Sequence, residues 1–157
     1  MVEIERKFLV KSEAYKKEAH KSKRIIQGFL NTHPERTVRV RLKDDIGMLT
    51  VKGKSSDDGL SRFEWEREIT KEDALQLLEL CEDVKIDKIR YLVRVENHTF
   101  EVDEFCKENE GLVIAEVELD STDEDFLKPD WLGKEVTGQP KYYNSQLSIQ
   151  PFNSWEL

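Results

Sequence analysis

The chain has 157 residues, a length that suits one domain built on a single core, so residues 1–157 are expected to fold as one unit. Charged residues make up 37% and hydrophobic residues 38%, and the net charge is −8. That balance leaves a lean core and lacks the dominant positive field that general nucleic-acid or anionic-membrane binding requires.

In chain order, period-two alternation dominates. Val2, Ile4 and Phe8 alternate with Glu3, Glu5 and Lys7 in a first strand. Residues 12–22 read as a short polar helix, and residues 25–30 as a second strand with Gln27 as its polar member. Val38, Val40 and Leu42 oppose Arg39, Arg41 and Lys43; Leu49 and Val51 oppose Thr50 and Lys52 across a turn at residues 44–47, which makes a hairpin. After a loop at 55–59, expected to be mobile, Phe63, Trp65 and Ile69 face away from Glu64, Glu66 and Glu68, with Trp65 expected in the core beneath a helix.

Thr70 and Asp73 have capping spacing, and Ala74, Leu75, Leu77, Leu78 and Cys81 form one apolar stripe, which predicts a helix over 71–82. Strands follow at 88–96, 99–105 and 112–119 as an antiparallel meander. A short helix at 122–127 ended by Pro129, a short strand at Val136 and a final helix over 142–149 complete the reading. Cys81 and Cys106 lack ligand spacing and read as reduced thiols. Without a leader or an apolar run of ~20 residues, the expectation is a cytoplasmic protein that does not enter membranes.

The polar faces are sorted by sign. Glu3/Glu5, Glu64/Glu66, Glu101/Asp103 and Glu116/Glu118 are acidic pairs at i and i+2; Arg39/Arg41 and Lys88/Arg90 are basic ones, joined by Lys7 and Lys52. Neighbours on one face of a strand lie ~6.6 Å apart and adjacent strands ~4.8 Å apart, so such pairs repel unless opposite charges or bound ions interleave them. One reading is an open sheet with a solvated face. The other is a sheet of about eight strands closed into a barrel around a polar lumen, an α+β fold with helices packed outside. In the second, carboxylates without His or Cys select a hard cation, Mg²⁺ or Mn²⁺, and the Arg and Lys side chains select a polyanion. His20, His33 and His98 have no partners at ligand spacing, and the acidic residues Glu108, Glu110 and 123–125 read as solvated loops or a helix N-terminus, where negative charge is favourable.

Glu3-Ile4-Glu5-Arg6-Lys7 resembles the E-x-E-x-K signature of the CYTH superfamily, the triphosphate tunnel metalloenzymes. The resemblance extends through Val38-Arg39-Val40-Arg41, Thr50-Val51-Lys52-Gly53, Arg62-Phe63-Glu64-Trp65-Glu66, Lys88-Ile89-Arg90, Glu101-Val102-Asp103, Glu116-Val117-Glu118, Glu135-Val136-Thr137 and Tyr143-Asn144. It implies a closed antiparallel tunnel in which Lys7, Arg39, Arg41, Lys52, Arg62 and Arg90 grip a small-molecule triphosphate. Glu3, Glu5, Asp103, Glu116 and Glu118 would then hold metal, with Glu64, Glu66 and Glu101 supporting the basic residues.

Lys88 and Arg90 are the expected catalytic pair. A lysine crowded by cations has a lowered pKa and can position or deprotonate the attacking water, or serve as one more phosphate clamp. The expected reaction is in-line attack by water on a terminal phosphorus, most simply inorganic tripolyphosphate going to pyrophosphate and phosphate. Cyclisation of ATP, hydrolysis of thiamine triphosphate and non-catalytic polyphosphate binding are the alternatives, and association into a homodimer is left open.

Overall fold

Because side chains alternate across every strand, strand pairing decides which charges share a space. The computed structural model describes residues 2–81 and 84–155. Its strands are β1 (Val2–Val10), β2 (Lys21–Asn31), β3 (Arg36–Lys43), β4 (Ile46–Ser55), β5 (Ser61–Ile69), β6 (Ile86–Val95), β7 (His98–Phe105), β8 (Val113–Glu118) and β9 (Leu132–Glu135). They run in the order β5-β4-β3-β2-β6-β7-β8-β1, and the sheet closes through β1 and β5, which pair at Val2↔Phe63, Glu3↔Arg62 and Ile4↔Ser61. Eight antiparallel strands thus form a barrel, and β9 adds to β1 beyond the closure, at Phe8↔Glu135.

Outward-facing side chains form two of the three apolar clusters. Phe8, Val93, Phe100, Val102, Ala115 and Val117 are covered by Tyr15 and Trp131. Val40 is covered by Ala74, Leu78 and Cys81 of the α2 region, where α2 spans Lys71–Glu79. The predicted cap is present: Thr70 Oγ1 accepts from Asp73 N–H at 3.0 Å. The third cluster lies inside the wall. Phe29, Ile86, Phe105 and Ile114 share inward faces with Gln27, Lys88, Asp103 and Glu116, and they meet Leu147 and Tyr142. An apolar floor therefore closes one end of the lumen.

The C-terminal segment that supplies this floor is pinned from several sides. Arg6, facing outward, donates to Glu135 through Nε (2.9 Å) and Nη2 (2.6 Å), and Thr137 Oγ1 donates to the same carboxylate at 2.6 Å. Gln146 Nε2 donates to Thr32 O at 3.1 Å. Gly59 and Gly138, both at φ +76, touch backbone to backbone; a Cβ on Gly59 would lie 2.4 Å from Gly138 Cα. The loop expected to be mobile at 55–59 is packed here by that contact.

Four expectations about elements need correction. The helix at 12–22 is a single turn, α1 (Tyr15–Glu18), and Lys21 onward already belongs to β2. The helix at 71–82 ends at Glu79, and Glu82 lies outside the described residues. The segment 122–127 forms no helix: Glu124 accepts from Asp120 N–H and pairs with His98, Ser121 Oγ donates to Asp123, and these local bonds compete with helical ones. The last helix, α3, is only Asn144–Leu147, preceded by a 3-10 turn at Pro140–Tyr142.

Trp65 is also corrected. It faces outward as its alternation requires, but α2 packs on β2, β3 and β4, so Trp65 stays 38% exposed with Arg67 over its ring.

Candidate functional site

The inward faces meet in a cavity of about 690 Å³, solvent at its mouth included, lined by Glu3, Glu5, Lys7, Arg39, Arg41, Lys52, Arg62, Lys88, Arg90 and Glu116. Alternation explains this directly, since each of these side chains is at an even spacing from the others on its strand. Glu101 (43% exposed), Glu66 and Glu118 stand toward the open end, opposite the apolar floor.

Most of the charges interleave. Lys52 Nζ reaches Glu3 at 2.8 Å and Glu64 at 3.9 Å, and Lys7 Nζ reaches Glu116 at 3.4 Å. Arg90 donates to both oxygens of Asp103 at 2.8 and 2.9 Å and to Glu101 at 3.1 Å. Asp103, expected among the metal carboxylates, thus has Arg90 on both oxygens and Lys88 Nζ at 2.7 Å as well. Burial opposes its ionisation, but Arg90 and Lys88 outweigh that and hold its carboxyl far below the usual range. Glu116 is likewise buried yet held at about 2, chiefly by Lys7.

Lys88 is wholly buried, with Asn144 Oδ1 at 3.1 Å and the Phe105 ring beneath it. Its amine is pushed down to about 7, first by burial and then by Arg90 and Arg41, against the pull of Asp103. Crowding by cations, the cause expected from sequence, is therefore the smaller part. Arg62 lines the cavity while also tying neighbouring backbone: Nε donates to Gly53 O and Nη2 to Pro34 O, both at 3.0 Å, and its guanidinium covers the Tyr143 ring.

Two places are left uncompensated. Arg41 has no ion pair among the described residues; its Nε donates to Gln27 Oε1 at 3.0 Å, and burial, then Arg39 and Arg90, push its pKa down to about 9. Arg39, lowered by burial and Arg90, meets Glu66 only at 3.5 Å, and its Nε is a buried donor without a partner among the described residues. On β1, the Glu5 carboxylate has no ion pair or side-chain hydrogen bond among the described residues. Burial, then Glu116 and Glu3, raise its pKa well above normal. Glu64, bonded to Glu3, is raised to about 7. Among the described residues Arg41 thus has no paired anion and Glu5 no paired cation.

A scan against known family models matches the CYTH domain over residues 1–148. The chain belongs to the CYTH domain family. An inorganic triphosphatase of Acetivibrio thermocellus is 49% identical, over 98% of this chain and 97% of that protein. An inorganic triphosphatase of Nitrosomonas europaea is 34% identical, over 95% and 98%. The crystal structure of the inorganic triphosphatase NE1496 superposes with a TM-score of 0.66 at 28% identity, over 93% of this chain and 97% of that one. The closed eight-stranded barrel with helices outside is the fold expected from sequence, and no described helix is long and apolar enough to cross a membrane.

Within this CYTH domain, sequence reasoning missed Gln27, Thr50 and the floor residues. Thr50 Oγ1 bridges Arg39 (3.1 Å) and Glu66 (2.7 Å). Gln27 and Thr50 carried a usable signal, being polar residues in phase with the charged faces. Tyr143 and Asn144 carried none beyond the resemblance, because they cap and begin the single-turn α3, where no strand alternation runs.

Proposed function

We propose that the chain is a metal-dependent inorganic triphosphatase that hydrolyses tripolyphosphate to pyrophosphate and phosphate. The observation that supports it is the split of unsatisfied charge within one enclosed lumen: among the described residues Arg41 has no paired anion and Glu5 has no paired cation. A polyphosphate carrying a divalent ion supplies both at once.

Glu5 with Glu3, Glu116 and Glu118 is the donor set for the metal. The hard oxygens and the repulsion on Glu5 fit Mg²⁺ or Mn²⁺, although among the described residues no three ligands are already gathered around one point. Glu3 and Glu116 are held by Lys52 and Lys7. When bound, the metal supplies charge neutralisation and Lewis acidity to phosphate oxygens.

The chain's own groups do the rest. Arg39 and Arg41 take phosphate oxygens, and Asp103 fixes Arg90 and Lys88 in place. Lys88, desolvated between Asp103 and Asn144, orients the attacking water and takes its proton as the oxygen bonds the terminal phosphorus and the bridging P–O bond breaks to release pyrophosphate.

The test is one panel. Purified protein with Mg²⁺ or Mn²⁺ is offered tripolyphosphate, ATP and thiamine triphosphate, and phosphate, pyrophosphate and cyclic AMP are quantified. Equal pyrophosphate and phosphate from tripolyphosphate is expected, whereas cyclic AMP as the main product from ATP would replace this reading with a cyclase.

A further inference from the structure

We propose that Gln27 is a positioning residue for anion binding: its amide oxygen orients Arg41 without neutralising it, and its amide nitrogen is a donor kept for the anion. This rests on the triphosphate reading and goes further by naming what sets the strength of the grip.

Gln27 sits on β2 opposite Arg41 on one side and Ile86 on the other, and it is completely buried. Its Oε1 accepts from Arg41 Nε at 3.0 Å. The amide cannot be turned round, because a guanidinium only donates and an NH₂ group facing it would oppose donor to donor. The Nε2 group must therefore point elsewhere, and there it is buried with no partner among the described residues. A buried amide N–H left unbonded is costly, so native chains rarely keep one without a ligand to meet it. The other such atom is Arg39 Nε, on the neighbouring strand of the same inward face, where Arg39 stands opposite Phe29. Both orphaned donors thus flank Arg41.

The barrel contains its own control. Arg90, equally enclosed, faces Asp103 across its strand pair and is locked to it by two bonds. Arg41, in the corresponding relation to β2, faces a neutral amide instead. A carboxylate at position 27 would hold the guanidinium just as well and would consume its charge. Glutamine holds the direction and leaves the charge for the ligand.

The test uses the full chain and calorimetric binding of inorganic tripolyphosphate in EDTA, so that no metal contributes, followed by KM and kcat with Mg²⁺. Q27E is expected to bind at least roughly ten-fold more weakly, the loss of one charge-assisted contact, with a raised KM and a kcat near that of the unaltered protein. Its urea midpoint is expected to be equal or higher, since Arg41 gains a partner. Q27M, which removes both acceptor and donor, is expected to bind several-fold more weakly and keeps the idea testable should Q27E fail to fold. A glutamine that merely supports the wall predicts the reverse pattern, lower stability with unchanged affinity, and that result overturns the inference. Unaltered protein that binds no tripolyphosphate and turns none over removes the functional reading itself, whereas tight binding by the unaltered protein and both variants removes only the role of Gln27.

Discussion

Replacing Arg41 with methionine should make the protein more stable and less able to bind its substrate. Burial and two neighbouring guanidinium groups depress Arg41 from the usual arginine value to about 9, and a shift of that size corresponds to about 5 kcal/mol of disfavoured charge as an upper bound. The folded value lies below the unfolded one, so under pH 9 both states hold the proton and the folded state carries the full penalty. The penalty eases only as pH rises from about 9 toward the unfolded value. Relaxation, water at the mouth and the lost bond to Gln27 reduce the recoverable part to about 1–2 kcal/mol, or roughly 3–6 °C in melting midpoint for a chain of this size. The assay is thermal unfolding at pH 7 in buffer free of phosphate and sulfate, with and without tripolyphosphate. A ligand at a hundred times its Kd stabilises the unaltered protein by about 2.7 kcal/mol, and R41M should show little of that gain. A lower midpoint for R41M in anion-free buffer would refute the claim that this guanidinium is held uncompensated.

Three further outcomes are expected. Glu5→Gln should abolish turnover with Mg²⁺ or Mn²⁺ while leaving the melting midpoint unchanged or higher, because the carboxylate it removes is repelled by Glu116 and Glu3; a large loss of stability would show that Glu5 is structural. Leu147→Ala, in the fully buried floor, should cost about 2–5 kcal/mol in urea unfolding and reduce kcat through Asn144 and its bond to Lys88. Asp87, bonded bidentately by Arg24, has its pKa lowered chiefly by that bond. Its contribution is complete above the usual aspartate pKa and disappears as pH falls through the lowered one, so stability measured from pH 5 to 2 should fall less steeply in D87N than in the unaltered chain.

The strands were legible because charge sorted by sign at i and i+2 is a strong mark of a face with something to hold: Arg39 and Arg41 line the cavity, and Glu66 and Glu64 meet Arg39 and Lys52 on the same face. Alternation tells which face a residue takes but not which strand lies next to it. Nothing local says that Asp103 will meet Lys88 and Arg90, or that Arg41 will meet only an amide. Trp65 shows the same limit: its direction was readable, but whether a helix reaches it depends on where α2 docks. The acidic run at 123–125 misled for another reason, since side chains that cap a helix also bond to their own loop, and Glu124 does so with Asp120 and His98. The floor was illegible because Leu147 and Asn144 act from a segment with almost no regular structure.

The seating of β1 has a consequence for how the molecule assembles. Its edges bond to β5, β8 and β9, and the tie from Arg6 to Glu135 spans 129 positions. Contacts so distant along the chain slow folding. β5 precedes β8 and β9 in the chain, so β1, the strand bearing Glu3, Glu5 and Lys7, lacks its partners β8 and β9 until residues 113–135 have been added. A chain short of Glu118 therefore leaves the wall open beside β1, and one short of Glu135 closes the wall without the tie to Arg6.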